Sequence, residues 1–200
     1  MSTVTVNSAA TPESAAMTSS RPQLKWLWIS LLVVVLDQAS KQIAESQLTP
    51  HQAVNLFPYF DWYLTYNTGA AFSFLANAGG WQRWFFTLIA IVISVIIVQW
   101  IRKLPREETM SAVSLSLILG GAIGNLIDRL YLGHVIDYIQ VWLGSYPFPA
   151  FNIADAAISV GAVMLLASSF TGISNTRTES VSYTHLRAHE TERTISYAVL

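Results

Sequence analysis

FPAFNIADAAISVGAVMLLASSF, residues 148–170, places a carboxylate, Asp155, in the first turns of a segment otherwise apolar enough to lie in a bilayer. Its length suffices for the roughly 20 residues that cross a hydrocarbon core. An aspartate at the centre of such a span costs roughly 2.5 to 3.5 kcal/mol on an insertion scale, so an intramembrane carboxylate is kept for a partner or a task. Reading this stretch as a membrane helix sets the fold class, and the task of Asp155 sets the function.

Working outward, three more apolar runs appear: Leu24 to Leu36, Trp84 to Trp100 and Val113 to Leu132. Hydrophobic residues make up 52% of the 200-residue chain and charged residues only 12%, against about a quarter charged in soluble domains. We therefore expect a mainly α membrane protein with four transmembrane helices, over about 24–44, 81–101, 111–132 and 149–170. The first span reaches full length only if it continues through DQASKQIAE with Asp37 facing protein rather than lipid. A cleaved signal peptide is the alternative for this run, but Asp37 and Lys41 occupy the place of a small-residue cleavage site. The four-span domain then covers residues 23–170, between a polar N-terminus, 1–22, and a polar tail, 171–200, both expected to be disordered. Within the tail, SYTHLRAHE is similar to translated sequencing-adapter read-through, and no function is read from His185 or His189.

The net charge of −1 gives no basic surface for nucleic acid. No cysteine is present, which excludes disulfides, thiolate metal sites and a cysteine nucleophile, and no H-E-x-x-H motif occurs. Arg21 and Lys25 precede the first span, while Arg102, Lys103 and Arg106 follow the second. By the positive-inside rule both termini are then cytoplasmic, with residues 45–80 and 131–148 on the outer side of a bacterial inner membrane. In the first of these segments, FDWYLTYNTGAAFSF alternates Trp62, Leu64 and Tyr66 with Asp61, Tyr63, Thr65 and Asn67. That period predicts a strand, a turn at Asn67–Gly69 and a partner strand in AAFSFL, forming a small sheet on the membrane surface. The bland alternative is an aromatic anchor at the interface.

Five acidic residues lie in or beside these elements: Asp37, Asp61, Asp128, Asp137 and Asp155. Asp61, on the strand, is explained by solvation. Gly120, Gly121 and Gly124 give the third span a face on which another helix can dock closely. Asn125 and Asp128 share one helix face, and Asn152 and Asp155 repeat the N-x-x-D spacing, which also suits a helix cap. Arg129 favours reading Asp128 as part of a charged cluster at the membrane boundary. Asp137 sits in GHVIDYIQVW, a short outer segment able to fold back over the start of the fourth span. His134 would reach Asp137 if that segment were helical, although a lone loop histidine is more often a surface group. Were Asp137 and Asp155 adjacent, the two carboxyls would share a proton, one activating water and the other protonating a peptide carbonyl. Proton relay and structural pairing explain the same spacing.

Four blocks, DQASK at 37–41, YNTGAAFS at 66–73, GGAIGNLIDR at 120–129 with HVIDY at 134–138, and FNIADAAI at 151–158, resemble those of bacterial lipoprotein signal peptidase, or signal peptidase II, in that family's order. The resemblance implies a membrane aspartic endopeptidase that acts without metal or cofactor. Its substrates would be diacylglyceryl-modified prolipoproteins, cut immediately before the lipidated cysteine. It implies four transmembrane helices with a small extracytoplasmic β-cradle, here within about 45–80, and a short loop over the active site. The family's catalytic aspartates fall on Asp137 and Asp155, and its supporting positions on Asp37, Asn67, Gly69, Asn125, Asp128, Arg129, Asn152 and Ala154. A monomer in contact with membrane lipid is expected, with the site near the periplasmic face. From Asn67 we expect a hydrogen bond to the substrate backbone, and from Asn125, Asp128, Arg129 and Asn152 a polar network. The rival from another class is a small proton- or ion-coupled transporter, against which the lack of an internal repeat counts.

Overall fold

The computed structural model describes residues 23–69 and 80–170. Its four long apolar helices are Leu27–Gln47 (α1), Trp81–Lys103 (α2), Thr109–Tyr131 (α3) and Ile153–Phe170 (α4), each long and apolar enough to cross a bilayer. A 3-10 turn, Gln23–Trp26, leads into α1. Four antiparallel strands form one sheet in the order β1 to β4: Ala53–Phe57 (β1), Phe60–Asn67 (β2), Val135–Leu143 (β3) and Tyr146–Pro147 (β4). The expected class, four spanning helices with a small sheet, is what the chain adopts. The expected strand AAFSFL lies outside the described residues, as do 1–22 and 171–200.

α1 does not stop at its charged stretch. It runs on through Asp37 and Lys41, both buried against α3, and ends where Leu48 turns extended ahead of Pro50. α2 keeps most of its apolar surface outward, as lipid-facing helices do, and closes with Arg102 and Lys103 in the last turn, where cations suit both the helix dipole and the interface. α3 is the central helix: Leu115 and Leu119 join Ile97 and Ile101 of α2 in one apolar cluster. Arg83 of α2 donates from Nε and Nη2 to the Arg129 and Leu130 carbonyls, satisfying the end of α3 where Gly133 turns left-handed at φ +84°.

Small residues set the helix spacing. A methyl group at Gly120 would strike the Ser30 backbone of α1, and one at Gly121 would strike the Ala154 carbonyl and Ile158 of α4. Because Gly121 meets backbone rather than a flexible side chain, Gly121→Ala should push the start of α4 outward. The expected result is a loss of about 1 to 3 kcal/mol of stability, read as a lower unfolding temperature in detergent, together with reduced activity.

The sheet departs from expectation in two ways. β2 pairs with β1 and β3, so the cradle draws on residues 135–147 as well as on 45–80. An irregularity between Trp62 and Thr65 shifts the register, so that Asp61 and Leu64 are buried while Tyr66 is exposed, instead of a strict two-residue alternation. Leu64, Ile136 and Tyr138 pack with Ala44 and Leu48, locking the sheet onto the end of α1. This junction brings β3 against the first turn of α4.

Candidate active site

The first turn of α4 is built by Asn152 and Asp155 together. Asn152 Oδ1 accepts the Asp155 backbone N–H at 2.9 Å, and Asp155 Oδ2 accepts the Asn152 backbone N–H at 3.3 Å. This reciprocal cap satisfies two of the helix's orphan donors. The N-x-x-D spacing at 152–155 is therefore a helix start, and the cap fixes where Asp155 points. Asp37 reaches across from α1 to accept the next orphan donor, the Ala154 N–H, at 3.0 Å.

Asn152 is fully buried, and its Nδ2 faces Asp137 Oδ1 at 2.7 Å, Asn125 Oδ1 at 3.2 Å and the Ile136 carbonyl at 3.2 Å. One residue thus touches both carboxylates, Asp137 with its side chain and Asp155 with its backbone. Asp137 comes from β3, where it pairs across the ladder with Thr65. Asn67, diagonally opposite on β2, donates from Nδ2 to Asp137 Oδ2 at 3.0 Å, and its own Oδ1 accepts the Gly69 N–H at 3.0 Å. Asn67 thus engages both an aspartate and a turn. Burial above all, then the negative charge of Asp155, pushes the Asp137 carboxyl up to about 7, against the pull of the Asn67 and Asn152 hydrogen bonds and the Lys41 charge.

Asp155 Oδ1 accepts from Asn125 Nδ2 of α3 at 2.7 Å. Behind Asn125, Lys41 Nζ contacts Asp37 Oδ2 at 2.7 Å, Asp128 Oδ2 at 2.8 Å and Asn125 Oδ1 at 3.1 Å. Gln38 Nε2 donates to Asp128 Oδ1 at 2.9 Å and to the Gly124 carbonyl at 3.2 Å, and Asp128 Oδ2 accepts the Ile136 N–H of β3 at 3.2 Å. The ion pair of Asp128 is therefore with Lys41 on another helix, not with its neighbour Arg129. Arg129 turns toward the cleft, donating to the Gly69 carbonyl at 3.3 Å and lying over the Phe86 ring.

Every supporting position expected from the sequence gathers around Asp137 and Asp155. Two other expectations are corrected. Asp61 is buried, accepting from Asn55 Nδ2 and Trp142 Nε1 at 2.8 Å each, so its role is to join three strands rather than to face solvent. His134 stands just before a strand, not on a helix, and packs edge-on against Tyr66 with ring centroids 4.6 Å apart. Lys41 and Gln38 are the residues sequence reasoning missed. Their signal is the spacing: Lys41 is four residues after Asp37, the offset that puts opposite charges on one helix face inside an apolar span.

The carboxylates open onto a cleft of about 520 Å³, lined by Asn67, Arg129, Asp137 and Asp155 on its polar side and by Phe148, Ile158 and Val160 on its apolar side. Val160 also lies on the outer surface of α4.

Residues 29–171 match the family model of signal peptidase (SPase) II. The chain is 58% identical over 150 residues to a lipoprotein signal peptidase of Pseudomonas putida, a match covering 74% of this chain and 88% of the relative. It is 52% identical over 161 residues to that of Pseudomonas syringae pv. tomato, covering 80% and 93%. Two solved structures described as bacterial membrane enzymes share the fold at 30% identity, with TM-scores of 0.69 and 0.64. The first match covers 76% of this chain and 90% of the other, the second 72% and 91%. With the matched region running from α1 through α4, this multi-pass membrane protein is a protease of the signal peptidase II family.

Proposed function

We propose that the chain is an aspartic endopeptidase that cuts the signal peptide from diacylglyceryl-modified prolipoproteins, immediately before the lipidated cysteine. The observation that carries this reading is the pair of carboxylates from β3 and α4, joined through Asn152 at a cleft whose far wall reaches the outer face of a membrane helix. A substrate with acyl chains in lipid and a scissile bond at the interface fits such a cleft. Placed by the positive-inside rule, the protein lies in the bacterial inner membrane with both termini cytoplasmic and the dyad near the periplasmic face. It acts as a monomer. The ion-coupled transporter has no support, since the relatives over the matched span are lipoprotein signal peptidases.

In this mechanism Asp155, at the positive end of α4, is the ionised partner and Asp137 holds the proton. Asp155 takes a proton from water as its oxygen bonds to the peptide carbon, and Asp137 gives its proton to the carbonyl oxygen. Collapse of the tetrahedral gem-diol returns a hydroxyl proton to Asp137, while Asp155 passes its proton to the departing amine as the C–N bond breaks. The chain's own residues thereby begin and end in the same state.

The pH dependence has a definite sign. The active form needs a protonated Asp137, so activity falls as pH rises through its value of about 7, by about tenfold per unit once well above it. A pH series of initial rates checks this, and a rate still rising at pH 9 would contradict it. The cleavage reaction itself is tested by mass spectrometry of a diacylglyceryl-modified prolipoprotein incubated with the purified protein. Products split immediately before the lipidated cysteine are expected; an intact substrate, or a cut elsewhere, would overturn the reading.

A further inference from the structure

Lys41 is 1% exposed, lies inside α1 and touches neither Asp137 nor Asp155 by hydrogen bond. Its three ammonium protons have three acceptors, Asp37 Oδ2, Asp128 Oδ2 and Asn125 Oδ1, so the cation has no spare donor. An ion pair alone would need only the carboxylates. The third contact, to an amide oxygen, is the informative one.

A carboxamide can present either end to a neighbour, and the choice is dictated by what that neighbour can do. An ammonium can only donate, so the end of Asn125 that faces Lys41 is its oxygen. Asn152 Nδ2 donates to the same oxygen at 3.2 Å, which fills its second lone pair. The Asn125 NH2 group is thereby turned the other way, onto Asp155 Oδ1 at 2.7 Å. Asn152, with its NH2 group committed to Asn125, Asp137 and the Ile136 carbonyl, has its own oxygen left for the Asp155 N–H. If Asn125 were flipped, its NH2 group would oppose both Lys41 and Asn152, and Asp155 would lose a donor and face an oxygen.

We propose that Lys41 is a positioning residue that sets the orientation of the Asn125 and Asn152 carboxamides, and through them presents hydrogen-bond donors to both carboxylates. Lys41 is thus one amide removed from Asp155. Asp37 and Asp128 hold the ammonium in place, Asp128 assisted by Gln38, while Arg129 engages the Gly69 carbonyl instead. The proposal rests on the reading of Asp137 and Asp155 as the catalytic pair.

The test compares Lys41→Gln and the charge-balanced Lys41→Gln/Asp128→Asn with wild type and with Asp155→Asn, all purified in detergent and checked for folding by thermal unfolding. A glutamine in place of Lys41 can present either end of its amide, so it fills the space without dictating the orientation of Asn125. In folded Lys41→Gln, or in the charge-balanced variant should the single one not fold, kcat falls about 10- to 100-fold while KM stays within about twofold. A merely structural cation would lower the unfolding temperature and leave the kcat of the folded fraction intact. Wild-type kcat in either folded variant overturns the role of Lys41 when Asp155→Asn is inactive. Failure of the charge-balanced variant to fold does so too, by making Lys41 a structural cation. An active Asp155→Asn would instead overturn the catalytic pair.

Discussion

Asp137→Asn and Asp155→Asn should each leave a folded, membrane-inserted protein whose cleavage rate is down by about ten-thousandfold or more. The loss is chemical. An asparagine at 155 cannot take a proton from water, and one at 137 has no acidic proton to give. The fold survives because little is lost in packing. An asparagine at 137 retains one amide oxygen to accept from Asn67 or Asn152 and removes a buried carboxyl that burial already disfavours as an anion. An asparagine at 155 retains one of the two acceptors that serve Asn125 and the Asn152 N–H, at a cost of about 1 kcal/mol. Initial rates at saturating substrate, with unfolding temperatures measured on the same preparations, separate the two effects.

Asn152→Ala has the second largest expected effect, because that side chain combines two functions. Its oxygen caps α4, which contributes about 1 kcal/mol, and its NH2 group provides the shortest hydrogen bond to Asp137. Loss of a preorganised donor beside reacting groups lowers kcat by about 10² to 10³. Asn152→Asp separates the functions. Aspartate caps a helix as well as asparagine does, so Asn152→Asp should recover stability relative to Asn152→Ala. It would also place a third carboxylate against Asp137, where a donor is required, so activity should stay low. Recovery of activity in Asn152→Asp would show that the cap alone matters.

What the sequence discloses and what it hides have physical explanations. The long apolar runs announce the helices, since a bilayer demands about 20 apolar residues whatever the tertiary contacts. The glycines at 120, 121 and 124 announce close helix packing, and α1 and α4 meet them. β3 is harder to read. Val135 to Tyr138 are all buried, and a strand covered on both faces carries no alternation. Asp61 looks solvated locally because its partner, Trp142, is 81 residues away. α1 runs past Lys41 as expected, but the lysine's role is concealed, because its partners Asp128 and Asn125 lie on another helix and only the three-dimensional arrangement brings them alongside. The capping spacing at 152–155 is ambiguous between structure and catalysis because Asp155 both joins the helix cap and meets Asn125 at the cleft.

Asp137 and Asp155 are expected to work as one unit with one shared proton. The most direct test is the cleavage rate of the Asp137→Asn/Asp155→Asn double variant beside each single variant, on the same diacylglyceryl-modified prolipoprotein and with folding verified for all three. If the two carboxyls form a unit, removing the second after the first costs little, and the double variant is within about tenfold of either single one. Losses that multiply, or a single variant that retains substantial activity, would contradict the account and place the chemistry elsewhere.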